Sequence, residues 1–232
     1  MEKEKEKEKD WEIIFNIDAP KRKKRLPIPD PVDREIKIDS DKILMSVTDT
    51  RGVIEFCNED FVEISGYEEY ELVGSGHNIV RHPEMPRVLF KILWERIQNK
   101  QNILAIVKNM AKTGRYYWVY TDFVIKEDEN GNIIGYKAFR KPAPKKAIET
   151  MIPIYKKLKA IEEENDMEFA QKYLEGYLDN LGTTYDEFVE NLIIENVDHK
   201  GEKLQDNTNN NNKEKLQSKK ERKSFFKRIF GY

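Results

Sequence analysis

The run Gly76-His77-Asn78-Ile79-Val80-Arg81-His82-Pro83-Glu84-Met85-Pro86 packs two of the chain's three histidines, an arginine, a carboxylate and two prolines between segments patterned like domain core. Pro83 and Pro86 push the residues before them toward extended backbone, which excludes one continuous helix. Pro86 can open the helix that follows, Arg87 to Gln98. A kinked polar segment feeding a helix makes a pocket wall, because its backbone donors are not consumed by a regular ladder. Two other readings stand beside this one: a charged surface loop, and a metal site. His77 and His82 are five residues apart with a proline next to them and no cysteine or third histidine near, which matches no standard ligand spacing.

Outward from that run, the flanks divide by composition. The 232 residues are 38% hydrophobic and 36% charged with a net charge of −2, which predicts a compact core with solvated flanks. The single cysteine, Cys57, excludes an intramolecular disulfide framework. No apolar run exceeds five residues, so no membrane-spanning helix is expected, and the N-terminus lacks the apolar stretch of a secretory signal. The expected location is cytoplasmic, either free or at the inner face of the cell membrane.

Residues 1–40 read as a charged leader and proline-rich linker: alternating Lys and Glu, an apolar island from Trp11 to Ile17, a basic run, then Pro27, Pro29 and Pro31. Residues 41–141 carry strand patterns over Lys42–Thr48, Val53–Cys57, Asn102–Asn109, Tyr116–Lys126 and Ile133–Arg140. Asn58 is placed to N-cap a short helix that Gly66 ends, and a second short helix closes near Gly74. Val88, Leu89, Ile92, Leu93 and Ile97 trace one face of the longer helix, with Trp94 beside it. Lys112-Thr113-Gly114 and Glu129-Asn130-Gly131 supply the hairpin turns. This order predicts an α+β domain with a five-stranded antiparallel sheet and short helices on one side.

Residues 142–197 read as a helical extension. Its first helix, Lys145 to Glu164, presents Ile148, Met151, Ile152, Tyr155, Leu158 and Ile161, with a kink expected at Pro153. It is expected to pack on the domain or on a second copy, giving a homodimer, and charges at Met151 or Leu158 to uncouple signalling. Two further helices present Phe169, Tyr173 and Tyr177, then Phe188 and Leu192, as stripes needing a partner. Residues 198–218 read as a polar tether. Residues 219–232 interleave basic residues with Phe225, Phe226, Ile229 and Phe230, the pattern of a peripheral membrane contact or partner-docking peptide.

From about Ile43 to Ala160 the chain resembles the flavin-binding PAS domain of aerotaxis, or energy-taxis, receptors. The likeness rests on Asn58-Glu59-Asp60-Phe61-Val62, Ser65-Gly66-Tyr67, the run His77 to Pro86, Trp94, Ile106-Val107-Lys108-Asn109, Lys112-x-Gly114, Tyr117-Trp118-Val119 and Pro153-Ile154-Tyr155-Lys156. It implies a PAS fold holding FAD as a redox or oxygen sensor, non-enzymatic, with His77, Asn78, Arg81, His82, Glu84, Trp94 and Asn109 at the cofactor. Glu84 stands where that family often has aspartate, and Ile103 and Ala105 replace a frequent tryptophan and glycine. With no methylation coiled coil or kinase motif in the sequence, the resemblance implies the PAS half of a split system. Its partner would be a separate membrane-bound methyl-accepting chemotaxis-type transducer, with no nucleic acid involved. The alternatives are a haem-binding PAS gas sensor with His77 or His82 as axial ligand, and a cofactor-free PAS adaptor. Blue-light adduct chemistry is discounted, because Ile79 follows Gly76-His77-Asn78 where a cysteine is needed.

Overall fold

Asp49 organises the first hairpin. In the computed structural model its carboxylate accepts from the backbone N–H of Arg51 at 2.8 Å and of Val53 at 2.9 Å. These bonds close the turn between β1 (Leu44–Thr48) and β2 (Ile54–Cys57). The structure describes residues 23, 24 and 26–195; the readings placed on 1–22 and on 196–232, the apolar island and the basic-aromatic tail included, lie outside them.

Asn58 caps α1 (Glu59–Ser65) as its sequence position predicts, its Oδ1 accepting from Phe61 N at 3.1 Å. The same oxygen accepts from Met45 N at 2.9 Å, so the cap also fixes the helix to β1. Gly66 ends α1 in the left-handed region, and the four-residue α2 (Glu69–Leu72) follows. The signature run is a single 3-10 turn, His77–Val80, then extended backbone at Arg81, then a turn into α3 (Arg87–Gln98). Pro86 stands as the N-cap of α3 rather than inside its first turn.

The remaining strands are β3 (Ala105–Met110), β4 (Tyr116–Glu127) and β5 (Ile133–Pro142), joined at the two turns expected. The five form one antiparallel sheet in the order β2-β1-β5-β4-β3. β3 starts later than its apolar pattern suggests. The Asn102 side chain takes over the ladder there, accepting from Phe123 N at 3.2 Å and donating to Asp122 at 2.7 Å.

The proline-rich stretch is not a free linker. Val32 N donates to Gly114 O at 2.9 Å and Ile36 N to Tyr116 O at 2.7 Å, so this segment lies along the β3–β4 hairpin. Three prolines hold it extended, which is the geometry an edge contact needs. Gly114 makes the approach possible: at its φ of +80° a Cβ would stand 2.1 Å from Asp30 O.

The sheet is covered on both faces. α1 to α3 and one set of alternating strand residues enclose the cavity described below. Against the opposite face lies α4 (Lys145–Glu164), whose Tyr155 hydroxyl donates to Ile106 O at 2.6 Å. The Tyr155 ring stacks on Trp118 with planes 10° apart. α5 (Met167–Asn180) and α6 (Tyr185–Ile194) continue around to α3. Lys91 donates to Gln171 and Arg96 to Asp186, both at 2.6 Å. The apolar stripes read from sequence for α5 and α6 need correcting. Phe169 and Tyr173 are exposed, while Ala170, Leu174 and Leu178 are buried, as are Tyr185, Val189 and Ile193. The aromatic and aliphatic sets lie about 100° apart around a helix. Close approach between helices selects the smaller set and leaves the rings at the rim, where Lys172 and Lys157 sit over Phe169 and Tyr173. α4 likewise buries Ala147, Met151, Ile154, Tyr155 and Leu158, with Ile148, Ile152 and Ile161 only half-buried and Pro153 on the exposed side of an unbroken helix.

Asp122 on β4 is 5% exposed, and burial raises its carboxyl pKa from 3.8 to about 6 even though Asn102 donates to it. The folded chain therefore binds this proton more tightly than the unfolded one, and stability falls as pH rises from about 4 to 6. Asp122→Asn is expected to remove that slope and, above pH 6, to stabilise the fold by up to about 3 kcal/mol. Urea melts at pH 4 and pH 7.5 check this; parallel curves for wild type and variant at both pH values would contradict it.

Candidate functional site

Alternation along the strands turns Ser46 and Thr48 of β1, Val107 and Asn109 of β3, Thr121 and Phe123 of β4, and Tyr136, Ala138 and Arg140 of β5 toward α3. α3 answers with Phe90, Leu93, Trp94 and Ile97, and the signature run with Gly76, His77, Asn78 and Arg81. Together with Arg51 and Gly52 they enclose a cavity of about 300 Å³. Its aliphatic and aromatic walls alternate with polar side chains, among them three arginines and the hydrogen-bonded set Ser46, His77 and Arg140, so that apolar surface and fixed polar groups converge as in small-molecule sites.

Each sequence-predicted residue has a definite place. Trp94 stands edge-on to Tyr136 with ring centroids 5.6 Å apart. Gly52, at φ +75°, lies so close to the indole that a Cβ would meet it at 2.8 Å, so the turn after β1 holds the Trp94 ring in place. The Arg81 guanidinium lies 3.8 Å over the Phe90 ring, and a backbone bridge between Arg81 and Asn109 joins the signature run to β3. Asn109 is 4% exposed and stands across from the buried Tyr117 hydroxyl; among the described residues its Nδ2 has no hydrogen-bond partner of good geometry, and the Thr121 hydroxyl, at 2%, has none. Asn78 is exposed at the rim.

His77 lies deeper, its Nε2 accepting from Arg140 Nη2 at 2.9 Å, with the Ser46 hydroxyl 3.1 Å from the same nitrogen. A guanidinium can only donate, so Nε2 carries the lone pair and the proton sits on Nδ1. Burial first, and the Arg140 charge second, hold the imidazole pKa well below its ordinary value, so His77 is neutral.

The structure sets His82 and Glu84 apart from these five. His82 is buried behind the cavity wall, its Nδ1 accepting from Glu84 N at 3.2 Å, and burial lowers its pKa to about 4. Glu84 is largely exposed and accepts from Lys108 Nζ at 2.6 Å, which lowers its own pKa. Both line a separate concavity with Trp118, Ile152 and Lys156, between the sheet's other face and α4. Neighbouring residues therefore serve opposite faces: Arg81 and Asn109 look into the cavity, His82 and Lys108 away from it. Ile103 and Ala105 are buried and line neither concavity, so the cavity's flat surfaces come from Trp94, Phe90, Phe123 and Tyr136 instead.

Sequence reasoning missed Ser46, Thr121, Phe123, Tyr136 and Arg140. The available signal was phase: in β5 an arginine falls in step with Tyr136 and Ala138 on the inward face, where alternation calls for an apolar residue.

The strand order, the short helices between β2 and β3, and the cavity between sheet and α3 define a PAS fold. Residues 54–140 match the family model described as PAS fold. The chain is 41% identical over 120 residues to the aerotaxis receptor of Escherichia coli (strain K12), covering 52% of this chain and 24% of that protein. It is 25% identical over 97 residues to the bacterioopsin transcriptional activator of Halobacterium salinarum, covering 42% of this chain and 14% of that one. The chain thus matches a quarter or less of the length of these relatives. Among solved structures, the light state of the blue-light photoreceptor Aureochrome1 LOV aligns with a TM-score of 0.43 at 19% identity, over 47% of this chain and 88% of that one. Among the described residues no helix is long and apolar enough to cross a membrane.

Proposed function

We propose that this PAS domain binds FAD in the cavity beneath α3 and acts as a non-catalytic redox or oxygen sensor. On this reading it signals by contact with a separate membrane-bound chemotaxis transducer. The observation that carries the reading is convergence: His77, Asn78, Arg81, Trp94 and Asn109, separated by up to 32 positions, line one cavity together with Phe90, Phe123 and Tyr136. The likeness to a protein named for aerotaxis supports it. The residues present also fit the group. A flat ring needs aromatic walls and a few fixed polar atoms, and Asn109 Nδ2 and the Thr121 hydroxyl are buried donors without a well-placed acceptor among the described residues. At about 300 Å³ the cavity suits a ring system rather than a whole dinucleotide, leaving the remainder for the rim where Arg51, Asn78 and Arg81 stand.

The haem alternative asks for an imidazole nitrogen free to reach iron inside the cavity. His77 Nε2 is engaged by Arg140 and Ser46, and His82 lies outside the cavity, so the geometry favours flavin. Purified protein reconstituted with FAD is expected to show the oxidised-flavin band at ~450 nm. Trp94→Ala and Arg81→Ala are expected to lose the band; Asn109→Ala is expected to keep it while locking one signalling state. Wild type without bound flavin after reconstitution refutes the reading; a Soret band would establish haem, and neither spectrum the cofactor-free adaptor.

A further inference from the structure

Arg140 is a buried cation with no counter-charge among the described residues. It is 4% exposed, and its fork donates to Ser46 Oγ at 3.0 Å, Ala138 O at 3.3 Å and His77 Nε2 at 2.9 Å, all neutral acceptors. Among the described residues no carboxylate pairs with it. The Phe61 ring, 5.3 Å from the guanidinium carbon, is its other electron-rich neighbour. Burial lowers its pKa only to about 10, so the group stays charged at neutral pH. A buried charge left in this state is costly unless something compensates it.

The cavity lining sharpens the point. It contains Arg51, Arg81 and Arg140 but not one aspartate or glutamate. Arg51 is matched by Asp49 outside the lining. Thr121 is the cross-strand partner of Arg140, and its hydroxyl is buried with no partner among the described residues; Asn109 Nδ2, further along the same wall, likewise has none of good geometry among them. This wall offers donors and positive charge, and its acceptors are all neutral. His77 adds no charge to that balance, because burial first, and Arg140 second, keep it neutral.

We propose that Arg140, with Thr121 opposite it, is the counter-charge for a ligand that becomes negative on reduction, and so the residue that sets the reduction potential of a flavin held here. This inference rests on the flavin reading above. An oxidised isoalloxazine is neutral; two electrons and one proton taken up leave it with one negative charge. A fixed cation beside the ring favours that form over the neutral one. The electrons come from an external reductant, dithionite in the test that follows.

The test is a redox titration of reconstituted full-length protein against a reference dye, read as potential per bound flavin so that occupancy does not enter. Arg140→Gln is expected to lose at least a hundredfold of the preference for reduced over oxidised flavin, a fall of about 60 mV for a two-electron couple. Arg140→Lys keeps the charge but not the fork and is expected to stay within about tenfold of wild type. Should Arg140→Gln not fold, Thr121→Val probes the same wall from the opposite strand, with an expected fall of threefold or more. Wild type and Arg140→Gln with potentials within threefold of each other, about 14 mV, overturn the inference while leaving flavin binding intact. Where Arg140→Gln does not fold, a Thr121→Val potential within that range overturns it. Wild type that holds no flavin overturns both this inference and the function it rests on.

Discussion

Glu162→Ala is expected to lower the free energy of unfolding by about 3 kcal/mol, although the residue lies far from the cavity in sequence and outside the PAS-like stretch. Its carboxylate is 3% exposed and reaches across to the start of α3, accepting from Arg87 N at 2.9 Å and Val88 N at 2.5 Å. The first turn of a helix leaves its N–H groups without partners, and the ring of Pro86 at the N-cap carries no acceptor to satisfy them. A buried donor stripped of its acceptor costs about 1–3 kcal/mol, and here two are stripped together with a negative charge at the positive end of a helix. For a chain of this size the melting temperature should fall by roughly 6–12 °C. Glu162→Gln keeps one acceptor oxygen and should lose about half as much. A Glu162→Ala variant melting within about 1 °C of wild type would rule out this role. Because α3 carries Phe90, Leu93 and Trp94, the same substitution should weaken flavin retention under the proposed function.

Met151→Lys is expected to be more damaging still, costing upwards of about 4 kcal/mol. Met151 is fully buried, and Leu158, two turns on, is 1% exposed. An ammonium placed there must lose its hydration or pull α4 away from the sheet. Detachment is opposed at two further points, the Tyr155 bond to Ile106 O and the Glu162 cap. The expected result is one cooperative transition shifted far down in temperature, not a separate early loss of α4. Calorimetry distinguishes these outcomes, and two resolved transitions would contradict the expectation. Read from sequence alone, charges at Met151 and Leu158 uncouple signalling and leave the cofactor in place. Their burial against the sheet changes that expectation, since such charges disturb the fold itself.

The local rules written in this chain were enough for its elements. Asn58 and Gly66 bracket α1, the Asn130-Gly131 turn joins β4 and β5, and the prolines of the signature run confine helix to one 3-10 turn. Each is decided by a residue acting on its own backbone or its nearest neighbours, which is why each is legible in one dimension. Five of the predicted site residues also meet in the cavity, because the resemblance preserves their order along one fold.

What needed the tertiary structure was every feature created by elements distant in sequence. Which stripe of α5 is buried depended on how closely the helices approach, and that favoured Ala170 over Phe169. The proline-rich segment became an edge contact only because Gly114 leaves room for it. His82, although embedded in the signature run, falls on the far side of the wall, since consecutive residues of extended backbone point to opposite faces, and Glu84 follows it there in the turn before α3. Arg140 looks in sequence like the polar end of a strand. Only the register that sets β5 beside β1 and β4 encloses it with Ser46, His77 and Thr121, turning an ordinary surface-type residue into a buried charge facing the cavity.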